Sequence, residues 1–180
     1  VVEIEDGMRI ERNHVYMIPP KFNVEIVGDT LKLKEYDSTI INHPIDIFFR
    51  SLAASYENRS VAIILSGTGS DGASGIRSVK EQNGVIIVQS PESSKFDGMP
   101  RNAIATGFAD MIQKPDAIAK EMMHIATSMI DSGTHVLTSD QDLMSQIFLV
   151  LKNVTKINYA YYKQTTILRR IERRMVITHS

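Results

Sequence analysis

Apolar residues along this chain follow two rhythms, and the switches between them mark out its elements. Residues 23–33 (NVEIVGDTLKL) alternate apolar and polar positions on both sides of Gly28-Asp29. That is the pattern of two half-buried strands joined by a two-residue glycine turn, and it predicts a β-hairpin. Upstream, residues 1–18 hold two short strand candidates. The second, residues 15–18, is stopped by Pro19-Pro20, because proline lacks the N–H that a strand ladder needs. After His43-Pro44 the period changes. Ile45, Phe48, Phe49, Leu52, Ala53 and Tyr56 recur at helical spacing and define one buried face, and Asn58-Arg59-Ser60 closes that helix.

The next stretch is the one the chain is organised around. An apolar run at residues 61–65 feeds a loop holding Gly67, Gly69, Gly72 and Gly75, with Asp71 among them. A helix with Ile76 and Val79 on its inner face follows, ended by Asn83-Gly84, where Gly84 is expected to take the left-handed cap position. Residues 85–88 are continuously apolar, as in a strand buried on both faces. Strand, helix and strand make a βαβ unit, right-handed in nearly all cases. Met99-Pro100 opens another helix and residues 108–112 a short strand. A helix starting at Pro115-Asp116 then carries Ile118, Met122, Ile125, Met129 and Ile130 at helical spacing. The fold class predicted is α/β, a mainly parallel sheet flanked by helices, with a helical C-terminal appendage.

Charge sharpens where that appendage begins. Although the net charge is −1, residues 141–180 carry seven basic side chains against two acidic ones. They hold +5, which leaves −6 for the first 140 residues. The polar stretch at 131–140 sits where the balance switches. The division expected is therefore a domain at 1–131, a linker at 132–140 and a separate segment at 141–180. In that segment Leu143, Ile147, Phe148 and Leu151 mark one helix. A last helix, capped by Thr165 or Thr166, puts Ile167, Leu168, Ile171 and Met175 on one face and Arg169, Arg170, Arg173 and Arg174 on the other. The absence of Cys excludes a disulfide framework and thiolate metal sites. No apolar run approaches the ~18 residues of a membrane span, and the start lacks a basic, apolar signal region. A cytoplasmic protein without direct membrane insertion is the expectation.

Three readings compete for the glycine-rich loop. Gly67-x-Gly69-x-x-Gly72 after a strand and before a helix fits a dinucleotide-binding turn. Against it, Asp71 would repel a pyrophosphate, and the next strand ends in Gln89-Ser90 where an acid should hold the ribose. A plain βα turn without chemistry is the second reading. In the third, Asp71 is the acid of a Ser-His-Asp triad, with a backbone N–H of Thr68 or Gly69 available to an oxyanion hole. No G-x-S-x-G elbow accompanies it, and none of His14, His43, His124, His135 and His179 lies in a context that marks a base. Nor do these histidines show metal-ligand spacing, so no metal site is expected.

LSGTGSDGASGIRSVKEQNG at 65–84, followed by Gln89, Pro91 and GMPRNA at 98–103, strongly resembles the catalytic domain of chemotaxis receptor methylesterases. Residues 2–20 and 43–53 resemble earlier parts of the same domain, so the likeness covers about 1–131. It implies an α/β enzyme, needing no cofactor, that hydrolyses glutamate methyl esters and deamidates glutamines on the methylated cytoplasmic helices of chemoreceptors. Asp71 matches that family's triad acid, and Thr68 stands where the family has a Met whose backbone serves the oxyanion hole. The family's nucleophile and base segments precede the region matched here, so the expectation is an acid without the Ser and His it orients. Residues 143–175 are similar to the basic N-terminal helices of chemotaxis receptor methyltransferases. This implies receptor contacts by Arg169, Arg170, Arg173 and Arg174, with S-adenosylmethionine bound only by a later domain absent from these residues. The alternatives are a non-catalytic receptor-docking or dimerisation module and a nucleotide-binding domain. Nucleic acid is not expected as a partner. A partial parallel sheet leaves an open edge, and a homodimer through that edge is expected.

Overall fold

The computed structural model describes residues 1–36, 39, 41–131, 141–157, 159 and 162–178. The contact pattern divides the chain into two compact units, Val1–Ile118 and Ala119–Ser180. The expected linker at 132–140 lies outside the described residues.

In the first unit, β1 (Val2–Glu3) and β2 (Tyr16–Met17) pair in parallel. The alternating stretch is a hairpin, β3 (Phe22–Val27) against β4 (Thr30–Glu35), with Val27 opposite Thr30. Its turn is the expected one, since Gly28 takes a left-handed φ of 61°. Helix α1 (Pro44–Tyr56) follows, with proline in its first turn, where the missing N–H costs no helical bond.

Strand β5 (Val61–Ile64), helix α2 (Gly75–Glu81) and strand β6 (Val85–Gln89) form the βαβ unit. β5 pairs in parallel with β6, and β6 with β7 (Met111–Gln113), giving the order β5-β6-β7. Every residue of β6 is buried, as its unbroken apolar run requires of a central strand. The last strand begins at Met111, three residues later than the pattern suggested. Helix α3 (Gly98–Ala105) lies between β6 and β7 in sequence and contacts both β5 and β6. The core gathers Phe49 and Ala53 of α1, Ile64 of β5, Ile76 and Val79 of α2, and Val88 of β6. Just before β7, the Asp110 carboxylate is buried, bonded to the Ile86 N–H and paired with Lys80.

One cap departs from expectation. The left-handed residue after α2 is Asn83 (φ 61°), not Gly84. Asn tolerates that conformation well among non-glycine residues. Gly84 is small for another reason: a Cβ there would fall 2.4 Å from Val79 Cγ1 and 2.5 Å from Ser60 Oγ.

The second unit holds most of α4 (Pro115–Asp131), with α5 (Gln141–Thr155) and α6 (Gln164–Thr178). Both tail helices are where helical spacing put them. α6 starts at Gln164, ahead of Thr165 and Thr166, so neither threonine is its N-cap. Ile125, Met144 and Ile167 are its buried apolar side chains among the described residues, while Arg170 and Arg174 are exposed.

Candidate functional site

Where β5 ends, the chain turns through the glycine loop before α2, and segment 89–102 clamps that loop from one side. The buried Gln89 side chain accepts the Ser66 N–H through Oε1 at 2.9 Å, while its Nε2 donates to the Ser93 carbonyl. Gly67 N–H donates to the Phe96 carbonyl, and Phe96 N–H to Ser66 Oγ at 3.0 Å. Met99 N–H at the start of α3 takes the Gly67 carbonyl at 2.9 Å, and Asn102 Nδ2 takes the Gly69 carbonyl at 3.0 Å. Gln89 appeared in the sequence as an argument against a ribose site. In the fold it is a strut for the loop.

On its other side the loop meets α1, and here Asp71 does its visible work. Its Oδ2 accepts the Ile45 N–H and its Oδ1 the Asp46 N–H, each at 3.0 Å. The first N–H groups of a helix have no partner within it, and a carboxylate in front of them satisfies both the bonds and the helix dipole. Asp46 returns the favour across the interface. Its Oδ1 accepts the Gly75 N–H at 2.6 Å, at the first residue of α2. Two aspartates thus cap the two helices, Asp71 that of α1 and Asp46 that of α2, with Asp46 buried and Asp71 half-buried.

His43 completes the group. Its Nδ1 lies 3.9 Å from Asp71 Oδ1, with the ring about half exposed. Sequence reasoning set His43 aside as a helix-entry residue and did not single out Asp46. The signal available was His43-Pro44-x-Asp46 at the start of a helix, where an acid at the third position sits among unpaired N–H groups. Ligand atoms of His43, Asp46 and Asp71 come within 4.8 Å of one another. Both Asp71 oxygens and Asp46 Oδ1 are engaged by backbone N–H groups, so the arrangement serves first to join the helix ends.

The conformation demands glycine at two loop positions. Gly69 and Gly72 have φ of 82° and 91°, and a Cβ on Gly72 would also meet Ile64 Cδ1 at 2.7 Å. Thr68, Gly69 and Ser70 are exposed, and among the described residues none of their N–H groups has an acceptor. Rigid donors beside a fixed carboxylate suit stabilisation of developing negative charge next to a base. At the rim, Asp97 holds the Arg101 guanidinium; their hydrogen bond, with the nearby carboxylate charge, raises its pKa above the ordinary value. Of the tail arginines, Arg170 and Arg174 are exposed on α6, in the second unit, and the side chains of Arg169 and Arg173 lie outside the description.

Comparison with known proteins places the chain in a family. The family model for CheB methylesterase matches residues 1–122. A putative protein-glutamate methylesterase/protein-glutamine glutaminase of Leptospira interrogans is 31% identical over 67% of this chain and 63% of its own length. An uncharacterized 104.1 kDa protein of Rhodobacter capsulatus is 36% identical over 97% of the chain, which spans only 21% of that relative. The crystal structure of the Thermotoga maritima CheB methylesterase catalytic domain superposes with a TM-score of 0.66 at 28% identity, covering 69% of each chain. By its sequence and its fold, the chain belongs to the CheB methylesterase family.

Proposed function

We propose that this chain forms the acid-bearing part of a protein-glutamate methylesterase that hydrolyses glutamate methyl esters, and deamidates glutamines, on the cytoplasmic helices of chemoreceptors. The observation that carries the reading is the fixed Asp71 carboxylate beside unpaired N–H groups of the loop, at the end of a parallel strand. Asp71 orients a histidine and stabilises its imidazolium, and loop N–H groups, that of Thr68 first among them, receive the tetrahedral oxyanion. In this reading the serine and the base come from outside these residues. Among the described residues His43 lies 3.9 Å from Asp71 through Nδ1, and no serine hydroxyl is bonded to His43. The chemistry needs no cofactor.

The tail extends the reading. The Rhodobacter capsulatus relative matches 97% of the chain, tail included, within a 104.1 kDa protein, which supports an esterase part continuous with further domains. We assign the tail to the start of a receptor methyltransferase, with S-adenosylmethionine bound beyond it. Arg169, Arg170, Arg173 and Arg174 on α6 meet the acidic methylation region of the receptor.

The test is methanol release from methylated receptor. The 180 residues alone are expected to show none above background. A chimera joining the serine- and histidine-bearing segment of a methylesterase to this chain is expected to turn over, with Asp71→Asn lowering kcat by roughly 10⁴-fold, as when a triad acid is neutralised. Its apparent affinity weakens as salt is raised, because exposed charges are screened. A folded chimera without hydrolysis overturns the reading. Turnover by the 180 residues alone overturns the external serine and base.

A further inference from the structure

A peptide unit is planar and trans, so its C=O and N–H point in opposite directions. Gripping a carbonyl therefore aims the next residue's N–H. In the glycine loop two carbonyls are gripped from the α3 side, those of Gly67 by the Met99 N–H and of Gly69 by Asn102 Nδ2. The N–H groups turned away from α3 by these grips are those of Thr68 and Ser70. Both residues are exposed, and among the described residues neither N–H has an acceptor.

The intervening Gly69 N–H sits differently. α3 begins so close that a Cβ on Gly98 would lie 3.1 Å from the Gly69 nitrogen and 3.3 Å from its carbonyl oxygen. That nitrogen lies against backbone. Asn102 also donates to the Gly98 carbonyl at 2.9 Å, so one side-chain amide ties α3's first residue to the loop.

We infer that Asn102 is a positioning residue, which aims the Ser70 N–H so that Thr68 and Ser70 make a two-donor cradle for a tetrahedral oxyanion, with Gly69 the hinge between them. The inference deepens the methylesterase reading by naming the second donor and the side chain that sets it. Asn102 touches neither ester nor nucleophile. It works through the Gly69–Ser70 peptide.

The test needs no turnover. ¹⁵N-labelled chain is titrated with methylphosphonate, a tetrahedral anion shaped like the intermediate of methyl ester hydrolysis. In the unaltered chain the Thr68 and Ser70 amides move together. In Asn102→Ala the Ser70 response is lost while that of Thr68 persists, and the dissociation constant rises roughly three- to tenfold, because a ground-state anion draws less from a donor than the transition state whose loss costs about 10²–10³ in kcat. Asn102→Asp, facing two carbonyls with a carboxylate, weakens the Ser70 response at least as much, and its spectrum shows whether the fold persists. A role confined to holding α3 in place would shift α3 amides and leave the anion response at Ser70 intact, which overturns the inference. So does methylphosphonate moving neither amide, or moving Gly69 in place of Ser70. An active chimera whose loop amides ignore the anion defeats the inference alone, and amides that respond in a chain whose chimera is inactive leave it standing.

Discussion

Asp71 has a structural role beside the catalytic one proposed for it. Its oxygens end helix α1 by accepting the Ile45 and Asp46 N–H groups, whatever it does for a histidine. Loss of an N-cap side chain costs about 0.5–2 kcal/mol. Asp71→Ala removes acceptors from two such donors at a half-buried end, so about 1–3 kcal/mol is expected. Asp71→Asn keeps one acceptor oxygen and should lose less. Urea unfolding of the 180 residues measures both, and equal midpoints for Asp71→Ala and the unaltered chain would show that the cap contributes nothing. The consequence for enzymology is direct. An inactive Asp71→Ala protein does not by itself prove a catalytic acid, and the asparagine variant is the fairer comparison.

At the scale of elements, the site exists because three helix ends converge on one loop. α1 and α2 exchange caps through Asp71 and Asp46, and α3 grips the loop's carbonyls. Close approach makes this exchange geometrically available. A Cβ on Gly75 would lie 2.8 Å from Asp46 Cα and 2.9 Å from Phe49 Cβ. Because the first of these is backbone, no side-chain rotation relieves the clash. Gly75→Ala is therefore expected to force α1 from α2 and to destabilise by about 1–3 kcal/mol, as overpacked cores do. Thermal unfolding followed by circular dichroism checks it. An alanine variant as stable as the unaltered chain would mean that the two helices are not locked.

For the molecule as a whole, the sheet has an unfinished side. Among the described residues β5 has a strand on one side only. A cavity of about 380 Å³ opens beside its first residue, lined by Ile4, Ile10, Ile18, Phe48 and Leu52 as well as Val61. Val15, Met17 and Ile18 of the same unit are exposed. An uncovered strand edge next to apolar surface favours further pairing. We therefore propose that isolated 180-residue chains pair through this edge. Sedimentation velocity should show a dimer growing with concentration. A strictly monomeric boundary at the highest concentrations would sink the proposal. No helix among the described residues is long and apolar enough to cross a membrane.

The hairpin at β3-β4, helices α1, α5 and α6, and the βαβ core could all be read from the order of residues. Periodicity reports directly on which side of an element is buried, and Gly28 and Pro44 mark local backbone geometry that neighbours alone determine. The glycine loop was equally legible as a turn between strand and helix, with Asp71 singled out in it as a candidate acid. What Asp71 holds was not. Its partners are backbone N–H groups 25 and 26 residues upstream, and backbone groups look alike in every sequence. Asp46, His43, Gln89 and Asn102 each gain their role from a contact that only packing creates. Residue order alone is enough to deliver a carboxylate from a strand into a glycine turn. The tertiary structure decided that this carboxylate is clasped by a helix end and that the loop's N–H groups are aimed from behind, because both depend on how α1 and α3 approach the loop.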